Sequence, residues 1–143
     1  MSPQIECAKA VGEALSGQTI AGRLITVNVG SLLPKYDTPD LNKLRVDVVP
    51  GVTATMTRIA RGRMSETCPI VVGVQSKCNV SGGEQPYREL LSVLRGVAWF
   101  LSKTEIEGFG TPTEDIEFFD EAETVDGEGR FRGAVTTAYT VFP

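Results

Sequence analysis

QPYRELLSVLRGVAWFLSK, residues 85–103, is the stretch that decides the fold. Tyr87, Leu90, Leu91, Leu94, Val97, Ala98 and Leu101 recur at spacings that place them on one side of an α-helix, so the segment reads as amphipathic. Pro86 suits the first helical turn, where its missing N–H is no loss, and Gly108 and Gly110 lie just beyond the end. Burying each large side chain of such a stripe contributes roughly 1.5–3 kcal/mol. The helix therefore needs an apolar floor, and the rest of the chain reads as the strands that supply it. Val93, Trp99 and Phe100 fall off the stripe. A monomer is expected to leave them wet unless a long loop folds over them, and the other reading is an interface with a second subunit.

Outward from that helix, Ser2-Pro3 is an N-cap followed by proline, and Ile5, Ala8, Val11 or Gly12, and Leu15 recur at helical spacing up to Gly17. Thr19–Val29 is rich in β-branched residues and reads as one strand with a bulge or close approach at Gly22. Residues 32–44 carry two prolines and no periodicity, an extended connection that Leu32, Tyr36 and Leu41 would tack to the body or to a neighbouring subunit. Arg45–Val49 is a strand stopped by Pro50-Gly51. In Val52–Arg63, Thr53, Thr55 and Thr57 alternate against Ala54, Met56 and Arg58, which predicts a strand running into a mobile arm. Pro69–Gln75, PIVVGVQ, is apolar almost throughout and reads as a central strand covered on both faces. Beyond the long helix, Ile116–Phe119 and Gly129–Phe142 read as a closing hairpin.

Composition removes several kinds of chemistry. The chain has no histidine, the side chain most used for acid–base work near neutral pH and the commonest metal ligand. Cys7, Cys68 and Cys78 match no zinc spacing and read as small buried thiols, and no phosphate-loop motif precedes the long helix. No cofactor or metal is expected. A net charge of −4 disfavours a protein that grips nucleic acid by its phosphates. No apolar run approaches the length of a membrane span, and MSPQIECAK lacks the pattern of a signal peptide, so a cytoplasmic protein with no membrane role is expected.

Charge is unevenly spread. Arg58, Arg61 and Arg63 fall within six residues, either as a solvated edge that guards against strand pairing or as a contact for an acidic partner surface. Residues 105–128 hold ten of the eighteen carboxylates and no basic residue. Glu114, Asp115, Glu117, Asp120, Glu121 and Glu123, with Asp126 and Glu128 behind them, form an acidic surface that reads as solvated, interfacial or channel-facing. Paired carboxylates for glycoside hydrolysis or cation binding are the weaker reading, since the calcium-loop spacing is missing.

Runs of strands rather than strict alternation with helices indicate one α+β domain over residues 1–143, a mainly antiparallel sheet with two helices packed on one face. Its other face and its edges need cover, and a second copy can provide it. In KYDTPDLNKLRVDVVP (35–50), PIVVGVQ (69–75) feeding YRELLSVLRGVAWFL (87–101), and the closing RFRGAVTTAYTVF (130–142), the chain resembles the tail-terminator, or tail-completion, proteins of long-tailed bacteriophages. That resemblance implies a ring-forming, non-enzymatic virion subunit, assembled in the host cytoplasm and resident in the tail or neck. The ring, a hexamer in the family's manner, would cap the tail tube, stop its polymerisation and present a head–tail joining surface. Its partners would be further copies of itself, the tail tube protein and a head-completion or connector protein, with DNA passing nearby without specific binding. A head-completion, adaptor or tube protein of the same particle is the alternative, and a small carboxylate-based enzyme the remote one.

Overall fold

The computed structural model describes residues 2–121 and 129–142. α1 (Pro3–Leu15) starts where the sequence places it: the Ser2 hydroxyl accepts the Ile5 N–H at 3.4 Å, and Pro3 occupies the first turn. Cys7, Ala8, Val11 and Leu15 form its buried side. The expected single strand at 19–29 is divided into three pieces. β1 (Thr19–Ile20) and β2 (Arg23–Leu24) make a small hairpin, and β3 (Val27–Val29) joins the main sheet. Ala21 and Gly22 both have positive φ, +52° and +78°, the pairing that a two-residue hairpin turn requires, so Gly22 is a turn rather than a bulge.

β4 (Arg45–Pro50) is followed by β5 (Thr55–Ala60) and β6 (Arg63–Lys77), then α2 (Gln85–Lys103), β7 (Glu117–Asp120) and β8 (Arg130–Val141). The sheet order is β3-β4-β6-β8-β7, antiparallel apart from the parallel β3–β4 pair, with β5 hydrogen-bonded to the outer end of β6. The α+β class, the mostly antiparallel sheet and the two helices are thus as the sequence indicates. PIVVGVQ lies at the centre of β6, between β4 and β8.

Alternation along the strands makes one face uniformly apolar. Val46 and Val48 of β4, Cys68, Ile70, Val72 and Val74 of β6, and Phe131, Val135 and Tyr139 of β8 join the buried sides of α1 and α2 in one core. On α2 the buried residues are Leu90, Val93, Leu94, Val97, Ala98 and Leu101. Val93 thereby corrects the expectation that it would be wet. It lies three residues after Leu90 and four before Val97, on the stripe, and has no exposed surface. The stripe is broad because α2 is enclosed by the sheet on one side and by the β1–β2 hairpin on another, where Gly96 faces Ile20. Phe100 is half-buried against the core, and only Trp99 remains exposed.

The opposite face is divided in two. Parallel neighbours require the chain to return to the same end of the sheet, so Gly30–Leu44 must cross it. With the helices on one face, the crossing runs over the other as a strap, with one 3-10 turn at Thr38–Asn42. Leu33 sits on Gly73, where a Cβ would come within 2.7 Å of the leucine Cδ2. The Gln75 amide donates to the Pro34 carbonyl at 3.1 Å, the Arg130 guanidinium to the Tyr36 carbonyl at 3.3 Å, and the Tyr36 hydroxyl to Asp47 Oδ1 at 2.8 Å. Arg45 stacks over the Tyr36 ring at 5.3 Å. Tyr36 and Leu41 therefore tack the strap down as expected, whereas Leu32 is 82% exposed and does not.

Burial pushes the Asp47 carboxyl above the ordinary carboxylate range, and the Tyr36 hydroxyl and Arg45 only partly offset that desolvation. A native carboxyl with a raised pKa binds more protons than its unfolded counterpart. Stability from this group is therefore full below the unfolded value, roughly pH 4, and falls as pH rises through the native one. Asp47→Asn keeps an acceptor for Tyr36 and removes the slope. In urea titrations across the acid range, the stability of the wild type relative to the variant is expected to decline with rising pH and then level off; a flat difference contradicts the assignment. Gly73→Val should unseat Leu33 and cost about 1–3 kcal/mol, whereas the same change at exposed Gly82 should be nearly silent in the same measurement.

Candidate functional site

Three surfaces gather the residues marked by the sequence. The first is the hairpin of β5 and the outer end of β6. Every residue of β5 is exposed, and so are Arg61, Gly62, Arg63 and Met64. β8 reaches only as far as the Glu66–Val141 pair, so the hairpin projects beyond the sheet with a partner strand on one side alone. Arg61 and Gly62 form its tip, with Gly62 at φ +73°. By register Met56, Arg58 and Met64 point to the helix side of the sheet, yet all three are exposed, Met56 by 66%. Arg58, Arg61 and Arg63 form no ion pair among the described residues.

The second surface is the half of the outer face that the strap leaves bare. It is an open trough of about 910 Å³, floored by Pro69, Val71 and Thr136 and walled by Gly51–Thr53 on one side and Thr113–Glu117 on the other. The second wall is fixed to β8: the Thr113 N–H donates to the Ala138 carbonyl at 2.9 Å, and the Thr137 hydroxyl to the Glu114 carbonyl at 3.1 Å. Glu114, Asp115 and Glu117 rim the trough with exposed carboxylates that form no ion pair among the described residues.

The other acidic candidates do different work. Asp120 accepts the Tyr87 hydroxyl at 2.5 Å and ties α2 to β7, and Glu121 lies 3.7 Å from Arg132. Glu123, Asp126 and Glu128 lie outside the described residues. The third surface is the outer side of α2. There Trp99, 65% exposed and with the Lys103 ammonium 5.6 Å from its ring centre, borders a hollow with Ser92, Arg95, Gly96 and Ala21.

Neither models of known protein families nor curated proteins match the chain. The functional reading therefore rests on these surfaces. Among the described residues no group of three or more Cys, Asp or Glu side chains is placed to hold a metal ion, and no helix is long and apolar enough to cross a membrane.

Sequence reasoning found the arginines, the carboxylates and Trp99, but missed the trough. Its floor and walls come from four segments distant in sequence, and nothing in any one of them marks it. The bare aromatics of β7, Phe118 and Phe119, were read only as strand residues, although two adjacent phenylalanines in a strand at the sheet edge must face opposite ways.

The three cysteines are all buried and unbridged. Burial, with Cys68 as a smaller contributor, pushes the Cys7 thiol up to about 12, and burial raises Cys68 and Cys78 as well. Since the thiolate is the nucleophile, these groups are poor ones in the folded chain. A thiol reagent at neutral pH is expected to label none of them rapidly until denaturant is added; fast stoichiometric labelling of the native protein would contradict this burial.

Proposed function

We propose that the chain is a structural virion protein whose copies close into a ring at the head-proximal end of a long phage tail. The ring, hexameric as the resemblance implies, stops polymerisation of the tail tube and offers the surface on which a head-completion or connector protein joins. The observation that carries this reading is the projecting β5–β6 hairpin, an arm whose arginines and methionines stand exposed. Such an arm is costly to leave in water and useful for reaching a neighbour.

The arm and the trough are different patches on one chain, so contact between them across copies is heterologous, and a heterologous contact closes into a ring when its rotation allows. The net charge of −4 supports passage of DNA through such a ring without capture, since phosphate is repelled rather than held. The protein acts by geometry and not by turnover, inside the tail or neck of the particle assembled in the host cytoplasm.

Electron microscopy and light scattering of the purified protein, alone and mixed with tail tubes, test this. Rings of uniform diameter, seated as a single layer at one end of the tubes, are expected. A protein that stays monomeric with tubes present sinks the proposal, and one that repeats along the tube is a tube subunit instead.

A further inference from the structure

Resting on the self-assembly reading, we infer that the β5–β6 arm of one copy docks in the outer-face trough of the next, setting Arg58, Arg61 and Arg63 against Glu114, Asp115 and Glu117. Three observations on the two surfaces converge on this occupant. The first is charge: the arm presents three exposed arginines and the rim three exposed carboxylates, and neither set forms an ion pair among the described residues. The second is apolar area. The arm carries exposed Met56, Ile59 and Met64, and the trough offers Pro69, Val71 and a fully exposed Val52.

The third is connectivity. β6 runs unbroken from Arg63 to Lys77, forming the arm at one end and the floor of the trough further along. An arm continuous with that strand extends past the trough and cannot fold back into it without breaking its own ladder. A second copy is therefore the occupant that supplies both the charge and the apolar side chains. Arginine suits the role, because its planar fork pairs with carboxylates in a fixed orientation and so sets the angle between neighbours.

Reciprocal charge reversal tests the contact. One variant carries Arg58→Glu, Arg61→Glu and Arg63→Glu; the other carries Glu114→Arg, Asp115→Arg and Glu117→Arg. Each alone sets like charges together, and its self-association should weaken at least about 100-fold by light scattering. Mixed in equal amounts, each variant's arm meets the other's trough, and assemblies containing both should return, alternating around an even-numbered ring. Wild-type assembly should also weaken with added salt.

Thermal unfolding confirms that each variant folds. Should reversal disturb it, the neutral triples R58Q/R61Q/R63Q and E114Q/D115N/E117Q are read instead, each expected to lose the salt dependence. Variants that assemble like the wild type, a mixture of folded variants that does not recover, or neutral triples with unchanged salt dependence overturn the docking while leaving ring formation standing. Trough variants that self-associate normally but no longer bind tail tubes assign the trough to the tube protein and overturn it too. A wild type that never assembles, with or without tubes, removes the self-assembly reading itself.

Discussion

The structure depends on the pairing of β6 with β8, a ladder that runs from Glu66–Val141 to Lys77–Arg130. It is the longest pairing in the sheet and joins strands from both halves of the chain. Because each strand alternates its side chains, one register fixes two faces at once. If β8 slipped by a single residue against β6, Phe131 and Val135 would turn out of the core and Arg132 and Ala134 into it, opposite the unmoved Val72 and Val74. With the register set, α1 and α2 have a single apolar floor to lie on, and the opposite face is left to be covered by other means.

That second face explains features that look unrelated along the chain. The parallel β3–β4 pair obliges residues 30–44 to cross the sheet, and the crossing covers one half through Leu33 on Gly73 and Tyr36 on Asp47. No segment of the described chain covers the other half, which remains as the trough. Under the strap Asp47 is desolvated but hydrogen-bonded by Tyr36, whereas the carboxylates around the trough stay exposed. One face thus carries an internal contact that is already made and, beside it, an open trough.

β6 also changes character along its length. Its middle is buried between two strands, and its first residues leave the sheet to form the arm with β5. The transition falls where β8 ends and where the strand's own sequence turns from polar RMSET to apolar PIVVGV. Because arm and trough lie on one continuous strand, the contact proposed between copies would have a defined direction, which a closed assembly requires.

By itself the sequence determined the element types, since helical spacing in residues 85–103 and alternation in the last strand are local signals of burial on one side. It also determined the absence of histidine chemistry, and marked the arginines and carboxylates as charge clusters. It did not resolve 19–29 into hairpin and strand, because the positive φ shared by Ala21 and Gly22 is a backbone choice that alanine does not announce. It misplaced Val93 because the width of a buried stripe depends on how many neighbours enclose the helix, here the β1–β2 hairpin as well as the sheet. Only the tertiary structure decided that Asp120 and Glu121 are engaged within the chain while Glu114, Asp115 and Glu117 rim a trough. The physical reason is that charge and periodicity are written residue by residue, whereas a concave surface exists only once strands far apart in sequence lie side by side.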